Sequence, residues 1–200
     1  MDLKKLVTIL IASVGGVITF LILIVPIIVI ILIIAAISIV SINNSNATEI
    51  ADSDTISYSI SGTAFPVVGC SYANINNTNY PSYEGHTGID INIGVSGKSV
   101  CAIDDGEVFI SMAKKENGLY VSYGEYVVIK HTDNNGNVYY SLYAHMVADS
   151  RTVEAGDTVV QGQILGLVDS TGNSTGDHLH FEIRDSSYNP INPINWLITE

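Results

Sequence analysis

The run Leu6–Ile42 contains no charged side chain and is built mostly from Ile, Leu and Val. This constrains the fold more than any other feature of the chain. A helix of about 20 apolar residues already crosses a hydrocarbon core of about 30 Å, so the segment is long enough to span a membrane with length to spare. A cleavable secretory signal is the alternative, but its apolar region usually measures only about 7–15 residues and ends in a small-residue cleavage site, which is not evident here. A hairpin of two short helices is a second alternative, because Pro26 removes a backbone donor and can kink or end a helix. Splitting there leaves Ile27–Ile42, which is short for a full crossing. A single uncleaved span over residues 6–42 is therefore expected. Lys4 and Lys5 on the N-terminal flank place residues 1–5 in the cytoplasm by the positive-inside rule, and the rest of the chain outside the cell membrane.

Beyond the apolar run the composition changes. Residues 43–62 are rich in Ser, Asn, Thr and Asp and have little to bury, so they read as a polar tether. From Thr63 onward, short apolar runs are broken by Gly, Asn and Asp. Val100–Ile110, Tyr126–His131, Val138–His145, Thr158–Val168 and His178–Ile183 read as strands, and Asp133–Asn137 reads as a hairpin connection. No long helical period appears there. Residues 63–200 are expected to form one all-β, antiparallel, sandwich-like domain. Beyond Asn43 there are six basic residues against nineteen acidic ones. An acidic surface gains nothing from phosphates, which sets nucleic-acid partners aside. The two cysteines, Cys70 and Cys101, fit either a disulfide, worth roughly 3–4 kcal/mol for a loop of this size, or two separate buried thiols.

Three short motifs carry chemistry. In Ser174–Arg184, His178 and His180 stand two apart in a strand-like run, so both imidazoles leave the same face, with Glu182 beside them. In Gly85–Asp90, His86 and Asp90 stand four apart and offer one nitrogen and one oxygen donor. In Ser141–Met146, His145 follows Tyr143-Ala144. Neutral imidazoles grouped with carboxylates suit a metal and a proton carrier better than a hydrophobic core.

The order His-x-x-x-Asp, Tyr-x-His, His-x-His, with the spacers Tyr123-Gly124, Val127–Lys130, Gly156-Asp157 and Ser170–Ser174 between them, resembles the M23 family of zinc metallopeptidases, the LytM and lysostaphin-like peptidoglycan hydrolases. The similarity runs from about Phe65 to Trp196. It implies one Zn2+ held by His86, Asp90 and His180, with His145 and His178 acting on the reacting water and the developing oxyanion. Four of the five histidines then fall on the family's functional positions. The fifth, His131, ends an apolar strand and reads as structural.

The resemblance implies a membrane-anchored endopeptidase that hydrolyses peptide bonds of peptidoglycan facing the cell wall. It also admits a second role, since some LytM-type domains are non-catalytic interaction or activator modules, which usually have lost metal ligands. Three features depart from the family pattern. Asp177 stands where Pro is common, Asp169 stands where Gly is common, and Met112–Ser122 is longer than the usual connection. Tyr80 and Tyr83, just before His86, are candidates to help hold an oxyanion.

Overall fold

The computed structural model describes residues 55–198. The expected cytoplasmic start (residues 1–5), the membrane anchor (residues 6–42) and most of the tether (residues 43–54) lie outside the described residues. The last part of the tether is bonded to the domain. Phe65 N donates to Ser57 O at 2.7 Å, Ile60 N donates to Ile198 O at 2.8 Å, and Gln161 Nε2 donates to Gly62 O at 2.8 Å.

The domain is all-β, and every strand pair in it is antiparallel. Its strands are β1 (Ile89–Ile91), β2 (Ser99–Cys101), β3 (Gly106–Glu116), β4 (Leu119–Thr132), β5 (Val138–Met146), β6 (Thr158–Val159), β7 (Ile164–Leu167), β8 (Leu179–Arg184) and β9 (Pro190–Ile191). One seven-stranded sheet runs in the order β1-β8-β5-β4-β3-β6, with β9 paired to β8, while β2 and β7 form a separate two-stranded sheet. The two layers of the expected sandwich are thus very unequal.

Alternation along the strands sorts the residues between the two faces of the large sheet. Leu179, Phe181 and Ile183 of β8 join Val127, Ile129, Tyr143, Ile89 and Ile91 in the main core. His180, Glu182 and Arg184 leave the opposite face, which carries a smaller cluster of Tyr126, Val128, Leu142 and Ala144. Two expected strands are broken in two. The Val100–Ile110 run stops at Cys101 and restarts at Gly106, and the Thr158–Val168 run is interrupted around Gly162, whose φ is 81°. Conversely, Met112–Ser122 holds little open connection. It is mostly the ends of β3 and β4, joined by Asn117-Gly118 with φ of 50° and 81°, the pair of positive angles that an Asn-Gly hairpin turn requires.

His131 sits in the core at 1% exposure. Its Nδ1 lies 2.8 Å from Asp105 O and its Nε2 lies 2.7 Å from Ser141 Oγ, so both ring nitrogens are partnered. Cys70 and Cys101 are both buried thiols without a disulfide. The Cys101 thiol faces the Phe65 carbonyl at 3.2 Å, and burial pushes its pKa up to about 12.

Candidate metal centre

The centre is assembled on the face of the sheet that His180 shares with Asp90. The two are directly paired across β1 and β8, and Ala144 of β5 pairs with His180 from the other side. Ala144 leaves room where a larger side chain would cover the imidazole. His86 approaches from the loop before β1. Its path is close because Gly88 carries no Cβ, which would lie 2.4 Å from Phe181 O and 3.0 Å from His180 Cε1.

Three donor atoms converge there. His86 Nε2 is 3.1 Å from Asp90 Oδ1, His180 Nδ1 is 3.1 Å from the same oxygen, and the two nitrogens are 3.0 Å apart. Ligands of a tetrahedral zinc with bonds of about 2.0–2.1 Å stand about 3.3 Å from one another, so this triangle needs only a slight opening to fit. His86, Asp90 and His180 are also the group with metal-binding spacing among the described residues. The far side of each ring is held as well. His86 Nδ1 lies 2.6 Å from Ser82 Oγ. His180 Nε2 lies 3.0 Å from Glu182 Oε1, and because a carboxylate only accepts, that contact keeps the proton on Nε2 and leaves the Nδ1 lone pair for an ion.

Glu182 is fully buried yet well supplied with donors. Thr87 Oγ1 at 2.5 Å and Tyr123 OH at 2.8 Å donate to Oε1, and Arg184 Nε donates to Oε2 at 2.6 Å. Burial works to raise its pKa, but the bonds from His180 and Thr87 and the charge of Arg184 outweigh it, so the carboxyl is held below its ordinary value. Asp90 behaves alike: burial works to raise its pKa, and bonding to His180 with the surrounding imidazoles brings it down. Burial lowers the pKa of His86 despite the Asp90 carboxylate. For His180 burial also lowers, but Asp90 and Glu182 together raise the pKa above its ordinary value. The donor set is thus one anionic carboxylate and two imidazoles oriented toward one point, with the Glu182 carboxylate behind His180, which is the charge pattern a divalent cation requires.

The other two histidines face this triangle. His178 precedes β8 and shares the side of His180. Its Nε2 is 3.6 Å from Asp90 Oδ1, and its Nδ1–H donates to Gly176 O at 2.7 Å. His145 reaches the site by a break in alternation. Strict alternation after Tyr143 and Ala144 would turn it toward the core, but its φ of 65° and a register shift between β4 and β5 bring it to the same face as Ala144. Its ring centroid lies 4.8 Å from that of His178 and 5.8 Å from that of His180. Nδ1–H donates to Thr171 O at 2.7 Å, leaving Nε2 unprotonated in the neutral ring.

The loop that supplies Thr171 O is set by glycine. A Cβ on Gly124 would lie 2.4 Å from the Thr171 carbonyl, and Thr171 Oγ1 is tied in turn to Glu125 N at 3.0 Å and to Met146 O at 2.6 Å. Asp169 contributes backbone, receiving His178 N at 3.1 Å and donating to His145 O at 3.2 Å, so it ties the two histidine-bearing strands together. Asp177 accepts from Ser96 Oγ. Tyr83 stacks on His86 at 4.5 Å, whereas the Tyr80 hydroxyl points to Thr87 O at 3.4 Å. Ser82 and Thr87 have no short sequence motif; Tyr123 and Thr171 fall in the spacers Tyr123-Gly124 and Ser170–Ser174, and Glu182 lies two residues from His180.

Burial pushes the His145 pKa down to about 4, against the Thr171 carbonyl that raises it. Below about pH 6.5 the unfolded chain takes up this proton and the folded one does not, so stability falls as pH drops toward 4 and is unaffected by this group above 6.5. The effect of a shift of that size is about 3 kcal/mol. In metal-free protein, His145→Gln is expected to lose less stability than the parent between pH 6.5 and 4, as measured by urea unfolding; equal losses would show that His145 is not the group responsible.

The sequence model of Peptidase family M23 matches residues 84–193, more than half of the chain. The chain belongs to peptidase family M23. Among curated relatives, "DD-carboxypeptidase/endopeptidase Mpg" of Neisseria meningitidis serogroup B (strain ATCC 13091 / M2091) is 39% identical over 110 residues, 55% of this chain and 22% of that protein. "Peptidoglycan DD-endopeptidase ShyC" of Vibrio cholerae is 35% identical over 99 residues, 50% of this chain and 20% of that protein. "Murein hydrolase activator NlpD" of Salmonella dublin is 35% identical over 147 residues, 74% of this chain and 34% of that protein. The chain therefore spans a fifth to a third of the length of these relatives.

Proposed function

We propose that this M23 protein is a zinc endopeptidase that hydrolyses peptide bonds of peptidoglycan while anchored in the cell membrane by residues 6–42. The observation that supports it most is the convergence of His86, Asp90 and His180 within 3.0–3.1 Å of one another with His145 and His178 alongside. A bound zinc ion would supply Lewis-acid polarisation of the scissile carbonyl and a water of near-neutral pKa. The remaining work falls to the chain itself. His145 Nε2, free of its proton because Nδ1–H is committed to Thr171 O, accepts a proton from the attacking water. His178, steadied through Gly176 O, presents Nε2 toward the same space and, with a proton on that nitrogen as well, donates to the developing oxyanion. Glu182, held by Thr87, Tyr123 and Arg184, keeps His180 in the tautomer that binds a metal.

A second reading is an activator that binds without cutting, favoured by the similarity to "Murein hydrolase activator NlpD" over 74% of the chain. Zymography on purified cell walls with the full chain separates the two. A clearing zone that disappears with chelator and returns with zinc is expected; an intact gel at every zinc level would favour the activator. The anchor has its own test. With Lys4 and Lys5 inside, protease added to intact wall-stripped cells is expected to digest the peptidase domain, whereas full protection would point to a hairpin that returns the domain to the cytoplasm.

A further inference from the structure

The site face of the sheet continues beyond the histidines. Along β8 the side chains after His180 on this face are Glu182 and Arg184, and the four-residue step from His180 to Arg184 covers about 13 Å. Arg184 pairs in register with Tyr140 of β5, and there three aromatic rings meet. Phe109 of β3 lies 5.3 Å from Tyr140 and 6.0 Å from Tyr188 between centroids, and Tyr140 and Tyr188 are 5.1 Å apart, edge to face.

This cluster is partly open to solvent. Phe109 is 50% exposed, while Tyr140 and Tyr188 pack against the apolar cluster that includes Val128 and Leu142. Tyr188 holds a φ of 68°, a strained region for a residue with a side chain, and Arg184 Nη1 secures it by donating to the Tyr188 carbonyl at 3.1 Å. The guanidinium also lies 4.6 Å over the Tyr188 ring and donates through Nη2 to Tyr123 OH at 3.0 Å. A relay of hydrogen bonds through Arg184, Tyr123 and Glu182 joins the Tyr188 carbonyl to His180. The hydroxyls of Tyr140 and Tyr188 have no hydrogen-bond partner among the described residues.

An exposed ring cluster with a polar rim marks a binding surface, and its chemistry indicates what it takes. Ring faces suit a flat apolar surface, while the two open hydroxyls suit hydroxyl and amide groups around its edge. A sugar ring has both: an apolar face of C–H bonds and a polar perimeter. A purely hydrocarbon partner would leave the two hydroxyls without complement. We propose that Phe109, Tyr140 and Tyr188 form a subsite for one sugar ring of the glycan strand whose attached peptide is cut at the metal centre. The inference rests on the peptidoglycan reading for its substrate. The separation supports it, because about 13 Å equals about four residues of extended peptide at 3.3–3.6 Å each, the span of a short stem peptide between its sugar and a cross-linked bond. The site therefore favours cross-linked peptides that still carry glycan.

The direct test needs no turnover. The full chain in detergent, made inactive by His178→Ala, is titrated with a soluble tetramer of β-1,4-linked N-acetylglucosamine and followed by calorimetry. Saturable binding is expected, weakened by about 3–10-fold in Phe109→Ala and again in Tyr188→Ala, with the thermal transition recorded for each variant to exclude unfolding. In the active protein, KM for a disaccharide-bearing cross-linked muropeptide is expected to lie below that for the same peptide stripped of sugar by an amidase, and Phe109→Ala should bring the two together. Equal KM values in the unmodified protein, or tetramer binding indifferent to both substitutions, would overturn the proposal. So would a concentration-dependent dimer abolished by Phe109→Ala without sugar binding, since the surface would then be a contact between copies. Sugar binding by a protein that cuts no peptidoglycan would leave the subsite standing and remove the endopeptidase reading instead.

Discussion

His180→Ala is expected to leave the protein with no zinc and no turnover. Two ligands, His86 and Asp90, would remain, and a catalytic zinc ordinarily needs three from the protein to keep one position open for water. The loss extends past the missing nitrogen. His180 Nε2 is one of the donors to the buried Glu182, so its removal leaves that carboxylate with Thr87, Tyr123 and Arg184 alone. It also removes the hydrogen bond and the charge of His180 that help hold Asp90 ionised. Zinc content by elemental mass spectrometry of the purified variant checks this. Stoichiometric zinc in the alanine protein would mean that His180 does not bind the metal.

His145→Ala and His178→Ala are expected to behave in the opposite way, retaining one zinc each while losing turnover by about 10²–10⁴-fold, the usual contribution of a positioned acid–base group. The prediction rests on where the ring protons are. Both Nδ1–H groups are committed to backbone carbonyls, Thr171 O for His145 and Gly176 O for His178, so each ring turns a single nitrogen to the reaction space. His178 is the sharper case because it shares a strand face with His180 and stands 3.6 Å from Asp90. A His178→Ala protein that loses its zinc would make His178 a ligand, and one that stays active would remove it from the chemistry.

How much of this was legible in the sequence differs from residue to residue. The period-two alternation of Leu179–Ile183 gave the sheet face of His180 correctly, because apolar and polar residues alternate without interruption there. His145 could be found by its motif but not oriented: reading β5 by alternation alone would send its ring into the core, and only the left-handed φ and the register shift bring it to the site. The end of β3 reads as a connection because Lys114, Lys115 and Glu116 lack strand patterning, although Asn117-Gly118 directly after them is the usual turn signal. The bonding roles of Ser82, Thr87, Tyr123 and Thr171 were invisible for a different reason. Each acts through one hydrogen bond to a partner that folding brings close, and no local pattern announces such a bond. Gly88 and Gly124 belong with them, since the backbone each glycine lets approach lies about 50 or more residues away in sequence. The apolar run that dominates the first quarter of the chain lies outside the described residues, so the anchor rests on its length and on Lys4 and Lys5.

Product analysis is the measurement that bears most directly on the account. The full chain is incubated with isolated, cross-linked peptidoglycan, with chelator and then with restored zinc, and the soluble products are examined by mass spectrometry. New amino and carboxyl ends within the peptides, each pair separated by the mass of one water, should appear with zinc, vanish with chelator and be absent for His180→Ala. Unchanged peptidoglycan at every zinc level, from a folded protein that carries zinc and still stimulates a separate wall hydrolase, would contradict the endopeptidase reading and leave the activator in its place.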